Sequence, residues 1–344
     1  MATPVSDYVA LAESRIVETL NEHFAVVPPE IESRIAERYW QGHTGNIDPH
    51  HITTALRNLG NADVIEWSRG NPTRGGRSID TIQLADRRRR ATRIDRAAAR
   101  KRLVYSRYTS WAQGTQRFPH GLIGPAGEVA VRSALIASGA LQPAAPGAGE
   151  TKNLLGVTLP GALDSAGFIV PVVSGLPQTP VTTIFEVKNI RSWIYPSSAE
   201  LYQLLDKGVL LQKPNPDQLI LPIMVCRRAH YTTFWMAKQL GFFVIEMGRQ
   251  FAGDVEEDAL LSVRNELHFN DLHAGTGPSI RVTDRMRDSI PKQATAAAEV
   301  WRTTTVDLGS TIQALRRVTK HKDRQIVMQS LRERSLDRSD RGGW

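Results

Sequence analysis

Apolar residues recur at helical spacing through residues 8–20 (Val9, Ile16, Leu20) and 30–40 (Ile31, Ile35, Tyr39), which predicts two amphipathic helices with Pro28 and Pro29 punctuating the join. Asp48 followed by Pro49 reads as a cap and first helical position. A third helix then carries His50, Ile52, Ala55, Leu56 and Leu59, with Gly60 as its stop. A hairpin pattern follows: Val64, Ile65 and Trp67, a glycine-rich turn at 71–76, and the return through Ile79, Ile82 and Leu84.

From Asp86 onward the spacing Arg89, Arg93, Arg96, Arg100 steps by four, three and four, so a helix there lines these side chains along one face. Beyond it the periodicity predicts a helix at 122–137, a Pro/Ala/Gly-rich loop at 142–149, and strands at 154–158, 163–173 and 181–188. A helix at 197–212, a strand at 218–226, a helix at 230–240 and a strand at 242–246 complete an order αβββαβαβ. Pro171 and Pro222 inside two of these strands argue for edges, bulges or shifted boundaries. Residues 253–289 read as mixed loop with one short strand, and 306–334 as a final helix leading into a charged tail.

At 344 residues the chain has room for two or three domains, and with 41% hydrophobic and 23% charged residues it is neither disordered nor membrane-embedded in composition. The lone cysteine, Cys226, lies in an apolar run, which excludes an internal disulfide framework or a thiolate zinc cluster. Asp7 and Glu13 stand where a signal peptide carries cations, and no apolar run reaches the ~18 residues of a membrane span, so a cytoplasmic protein without a membrane partner is expected. Serine-hydrolase and phosphate-loop signatures are absent, and the adjacent His50 and His51 cannot both face one ion.

Charge placement sharpens the picture. Residues 86–107 hold ten basic and two acidic residues, a net +8 that equals the charge of the whole chain. Such a stretch suits either a polyanion, most simply nucleic acid, or a solvated helical linker. Nine of its ten cations are Arg, the better bidentate phosphate ligand. Tyr105, Tyr108 and Trp111 behind it either stack on unpaired bases or anchor the segment to its neighbour. Residues 313–344, with nine basic and four acidic residues, form a second basic element.

Chemistry concentrates elsewhere. In the run 183–189, Ile184, Glu186 and Lys188 alternate to one face of a strand and Phe185 and Val187 to the other. Asp164 lies 22 positions before Glu186, at the head of a strand able to pair with it as a hairpin, so both acids can reach one ion. Mg2+ or Mn2+ held by two carboxylates and a strand carbonyl such as that of Val187 suits phosphodiester hydrolysis, with Lys188 orienting or deprotonating the attacking water or neutralising the phosphate. The alternative is an ordinary surface pair, Glu186 with Lys188, beside a turn residue Asp164.

Two resemblances follow from these residues. Residues 8–86, in their order of three helices and a hairpin, resemble winged helix-turn-helix domains. That likeness implies a third helix in the major groove, offering Thr53, Thr54, Arg57 and Asn58, with Arg74 and Arg77 on the wing meeting phosphate. Residues 122–246 resemble the PD-(D/E)xK, restriction-endonuclease-like nucleases: Asp164 matches the first acid, Glu186 and Lys188 the Glu-x-Lys, and Glu128 the glutamate many members carry on the preceding helix. Leu163 stands where the motif has proline. The likeness also implies a polar contact to metal-bound water or DNA backbone from the next helix, for which Gln203 is the choice over its neighbours Glu200 and Lys207.

The expected protein is α/β, with a winged-helix DNA-binding domain at 1–86, a basic helical connector at 87–120 presenting Arg89, Arg93, Arg96 and Arg100, a restriction-endonuclease-like αβββαβ core at 121–252, and an extension with a basic helix at 253–344. Its expected activity is metal-dependent DNA cleavage in restriction, antiphage defence or repair, with RNA as an alternative substrate and a homodimer implied by double-strand cutting. A non-catalytic DNA-binding regulator that uses the second domain as a platform is the competing class.

Overall fold

A computed structural model describes residues 5–37, 47–70, 78–87, 90–115 and 119–336. The protein is mixed α/β and forms two compact units, Met1–Leu122 with Val255–Ala274, and Ile123–Asp254 with Gly275–Trp344.

In the first unit, α1 (Val5–His23), β1 (Ala25–Val26), α2 (Pro28–Ile35), α3 (Pro49–Asn61), β2 (Ile65–Arg69) and β3 (Asp80–Leu84) succeed one another, and the sheet order is β1-β3-β2, all antiparallel. Pro28 and Pro29 do not merely separate helices; they open α2, where a missing N–H removes no helical bond. The α2 helix ends at Ile35, short of the expected 40; residues 38–46, and 71–77 with the expected turn, lie outside the described residues. On α3, Ile52, Ala55 and Leu59 are buried while Thr53, Arg57 and Asn58 face outward.

The basic stretch forms α4 (Ala91–Gln113), whose stripe Ile94, Ala98, Lys101, Val104, Tyr108 is buried against this same unit. It is thus a structural helix of the first unit and not a separate connector. Lys101 is only 3% exposed. Its ammonium is 2.7 Å from Glu30 and 3.1 Å from Glu266 of α8 (Glu257–Leu267), and Arg34 pairs with Glu30 at 2.7 Å. Burial raises the Glu30 pKa and the two cations oppose it. A buried cluster of this kind survives only because each charge has its partners.

The α8 helix falls in a segment expected to be mostly loop, although Leu260, Val263 and Leu267 show helical spacing and are buried. It is followed by β14 (Leu272–His273). The expected extension at 253–344 therefore divides: 255–274 belongs to the first unit and the rest to the second.

The second unit opens with α5 (Ile123–Ser138), then β4 (Gln142–Pro143), β5 (Thr151–Leu154), β6 (Val157–Leu163), β7 (Ser165–Ile169), β8 (Val172–Val173), β9 (Leu176–Pro177) and β10 (Val181–Lys188). There follow α6 (Ala199–Gln212), β11 (Ile220–Cys226), α7 (Tyr231–Leu240), β12 (Phe243–Glu246) and β13 (Gln250–Phe251), and after the return from the first unit α9 (Ile280–Asp284), α10 (Ile290–Arg317) and α11 (His321–Leu336). The central sheet runs β12-β11-β10-β7-β4, parallel among β10, β11 and β12 and antiparallel at β7 and β4.

Helices cover both faces of this sheet. Ile184 and Met224 join α6, α7 and α10 in one core, and Phe185, Val187 and Val225 join α5, α9 and the start of α10 in the other. Burial on both sides explains why β11 is apolar throughout instead of alternating.

Three strand expectations change. The run 154–158 is not one strand, because Leu155 and Gly156 adopt left-handed conformations and turn β5 into β6. That hairpin stays outside the central sheet, whose edge is instead β4, from a segment expected to be loop. The expected strand 163–173 is interrupted at Asp164 and again before Pro171, leaving β7 and the small β8–β9 hairpin. Pro222 does sit inside β11, just before β12 begins to pair at Ile223. The final helix starts earlier than expected and is broken between α10 and α11. No helix among the described residues is long and apolar enough to cross a membrane.

Candidate functional site

The site grows from the carboxyl end of β10. Asp164 is the single residue between β6 and β7. Its N–H donates to the Phe185 carbonyl at 3.2 Å, and its Oδ2 accepts the Val187 N–H at 2.6 Å. Along a strand, the N–H and C=O of one residue point to the same side and successive residues alternate. Val187 therefore turns both groups toward Asp164, beyond the last β7–β10 pair at Ser165 and Phe185. The Val187 carbonyl lies on the same edge as the Asp164 carboxylate.

Glu186 points to the other face and is buried. Its Oε1 accepts from Lys188 Nζ at 2.9 Å and its Oε2 from Lys207 Nζ of α6 at 2.8 Å. Lys207 also donates to the Ala162 carbonyl at 2.6 Å, which ties α6 to β6. The residue of α6 that meets the acidic cluster is thus Lys207, one turn beyond the expected Gln203. Both were visible on one helix face; a buried carboxylate favours a cation over an amide.

Glu128 comes from α5 and pairs with Arg132 at 3.3 Å. Arg132 also meets Glu150 at 3.5 Å and donates through Nε to the Asp164 carbonyl at 3.1 Å, fixing α5 against the acid-bearing turn. Arg132 is not among the expected site residues, although its spacing of four from Glu128 on a helix makes the pair legible.

Asn189, directly after Lys188, completes the fixing. Its side-chain amide donates to the carbonyls of Ile123 at 2.5 Å and Phe251 at 2.7 Å, and its Oδ1 accepts from Phe251 N at 3.2 Å. Gly127 makes this approach feasible: a Cβ there would lie 2.3 Å from the Asn189 Cβ. Gly127→Ala is expected to push α5, and Glu128 with it, away from β10 and to cost about 1–3 kcal/mol of stability. A denaturant midpoint equal to wild type would show that the contact is not close.

Electrostatics bind these acids into one system. Burial, then the neighbouring Glu186 carboxylate, pushes the Asp164 pKa up to about 6, with the Val187 N–H and Lys188 opposing. Glu128 is also raised, mainly by burial, with Arg132 opposing and Glu150 and Glu186 adding to the rise. Glu128 in turn raises Asp164. Asp164 and Glu128, whose charged forms are disfavoured here, would gain from a hard divalent cation, while Lys188, Lys207 and Arg132 already neutralise Glu186 and Glu128 in part. Asp164, Glu186 and the Val187 carbonyl offer the oxygen donors that Mg2+ or Mn2+ takes, but the oxygens of Asp164, Glu186 and Glu128 do not all lie within 4.8 Å of one another, and Lys188 and Lys207 hold the two Glu186 oxygens.

The expected nucleic-acid contacts lie in the first unit. Thr53 and Arg57 are exposed on α3; the hydroxyls of Thr53 and Thr54 bond their own helix backbone, and Asn58 donates to Glu13 of α1 at 2.8 Å. Arg93, Arg96 and Arg100 share the outer face of α4, with Arg93 5.9 Å from the Phe24 ring centre and Arg100 paired to Glu266 at 2.7 Å. Arg74, Arg77 and Arg89 lie outside the described residues. Arg102 is a hairpin latch, donating to Ser68 and Thr81. Tyr108 is buried edge-on against Phe269 at 5.0 Å, so it anchors α4 and does not face a base.

Comparison with protein-family models, with curated proteins and with solved structures returned no match to this chain.

Proposed function

We propose that the protein is a DNA endonuclease whose second unit hydrolyses phosphodiester bonds with Mg2+ or Mn2+. The observation that carries this reading is the electrostatic coupling of Asp164 to Glu186 and Glu128, acids brought by three separate elements, with Lys188 paired to Glu186. The succession of α5, the antiparallel pair β7–β10, α6 and the parallel strand β11 supports a restriction-endonuclease-like core.

Asp164, Glu186 and the Val187 carbonyl would hold the cation, with Glu128 acting through water, and the cation would supply charge stabilisation at the phosphoryl oxygens and lower the pKa of water. Lys188, at 19% side-chain exposure, is open enough to orient the attacking water and to offset phosphate charge. Lys207, spent on Glu186 and the Ala162 carbonyl, holds the acid in place.

The first unit is read as the DNA-binding part. Its order α1-β1-α2-α3-β2-β3 and sheet order β1-β3-β2 support a winged-helix reading, with Thr53 and Arg57 toward bases and Arg93, Arg96 and Arg100 toward phosphates.

The test is incubation of the full chain with supercoiled, linear, single-stranded and structured DNA in Mg2+, Mn2+ or chelator. Cleavage only with metal, lowered at least ~1,000-fold in Glu186→Ala, is expected. Intact substrates in both metals, or cleavage unchanged in that variant, overturn the reading; a regulator would instead bind one duplex without metal and tolerate loss of Lys188.

A further inference from the structure

The central sheet ends at β12, which pairs with β11 and with no other strand. The Met247 N–H donates to the Cys226 carbonyl, and backbone groups along a strand alternate sides, so Phe243 and Ile245 face β11 while Val244 and Glu246 turn N–H and C=O outward. Among the described residues no group bonds these outward donors and acceptors. A strand edge left open in this way is a template for one more extended chain.

The space beside that edge is a groove. A cavity of about 530 Å3 lies between the end of α7, the chain at 242–245 and the first half of α10. A second, of about 410 Å3, continues it past Glu246 to α9, and the two share Phe234, Val244, Arg285 and Ser289. The walls of the larger cavity are apolar and partly open to water: Phe234 and Val300 are 36% and 37% exposed, and Phe243 and Ala297 are half-buried.

Charge along the groove is uneven. The larger cavity is lined by Lys238, Arg285 and Lys292 and by no acid, and all three cations are exposed with no partner among the described residues. The smaller one has Arg281 and Arg285 beside Glu246, Asp284 and Asp288. Those acids are already engaged: both aspartates pair with Arg287, and Glu246 accepts the Ala229 N–H.

These features together select one occupant. The outward N–H and C=O groups complement a peptide backbone, the apolar walls its alternate side chains, and the unpaired cations carboxylates. Nucleic acid would use the cations and leave the strand edge unmet; a fatty acid would use the cations and the walls alone. We propose that this groove binds an extended acidic segment of a partner protein, which adds as a further strand beside β12 and sets its carboxylates against Lys238, Arg285 and Lys292. The proposal stands apart from the nuclease reading and needs no metal.

The experiment is fluorescence anisotropy on the full chain in chelator, with a labelled peptide of alternating Glu and Val, its Lys and Val counterpart, a fully N-methylated Glu and Val peptide, oligo(dT) and a long-chain fatty acid. The Glu and Val peptide is expected to bind saturably and at least about tenfold more tightly than the basic one. N-methylation removes the backbone donors and keeps every charge, and should weaken binding about tenfold or more. Lys238→Gln/Lys292→Gln, both exposed positions, should weaken it about fivefold or more at low salt with an unchanged thermal transition. Val244→Pro removes one outward donor and no ladder bond, and should weaken it about fivefold. Should that variant fail to fold, the lysine variant and the methylated peptide leave the strand intact and still decide. Absence of saturable binding, equal affinity for the methylated peptide, or an affinity unchanged in the lysine variant would overturn the assignment. So would tighter binding of oligo(dT) or the fatty acid that is lost in that same variant.

Discussion

Asp164→Asn is expected to stabilise the metal-free protein at about pH 8 by roughly 1–3 kcal/mol and, at the same time, to abolish metal-dependent cleavage. The sign follows from the Asp164 pKa, raised from 3.8 to about 6 by burial and by Glu186. Between those values the folded protein keeps a proton that the unfolded chain has released. The stability contributed by this group is therefore greatest below the unfolded value, falls as pH rises through the window, and is lowest above about 6. Asparagine carries no charge to penalise, yet retains a carbonyl oxygen for the Val187 N–H. Denaturant melts in chelator at about pH 4 and pH 8 check it: the variant should match wild type at the lower pH and exceed it at the higher. A variant no more stable at the higher pH would mean that Asp164 is not strained by its neighbours. Added Mg2+ or Mn2+ should stabilise wild type more at the higher pH, by about 2.7 kcal/mol at a hundredfold excess over Kd, and the variant hardly at all.

The two lysines on Glu186 are expected to part company. Lys207→Met leaves a buried carboxylate oxygen and the Ala162 carbonyl without their shared donor, and should cost about 3–5 kcal/mol of stability. Lys188→Met removes the more open partner: stability should change by no more than about 1 kcal/mol while cleavage falls about 100- to 10,000-fold. Gln203→Ala should alter neither by more than about twofold. Urea melts and single-turnover cleavage on the same preparations decide between them. Equal stability losses for the two lysine variants would contradict the division of labour, and a large activity loss in Gln203→Ala would restore that residue to the site.

How much of this was readable from sequence depends on the range of the interaction. The β10 residues Glu186, Val187 and Lys188, their facing, and the position of Asp164 just beyond the Ser165–Phe185 pair follow from strand alternation and hairpin pairing, which are short-range and periodic. The α8 helix was readable too: its three buried apolar residues have helical spacing, but flanking loop signals obscured a helix of 11 residues. The two-residue edge strand β4 has no period to read, and Pro143 argues against it. Lys207 and Gln203 are indistinguishable by pattern, since the choice depends on a buried charge across 21 residues of chain. The bond of Asn189 to Phe251, and the cramped space at Gly127 that permits α5 to approach, are tertiary facts with no local signature.

The first unit is built from two pieces of chain, Met1–Leu122 and Val255–Ala274, so its buried Lys101 meets Glu266 only after an excursion of more than a hundred residues. During synthesis the amino-terminal body must wait, with Lys101 paired to Glu30 but short of its second anionic partner, Glu266, while all of 123–254 emerges from the ribosome. Expression of 1–122 alone would yield a fragment missing part of its own interior, and cutting the chain after 254 would injure the earlier body and not only the later one.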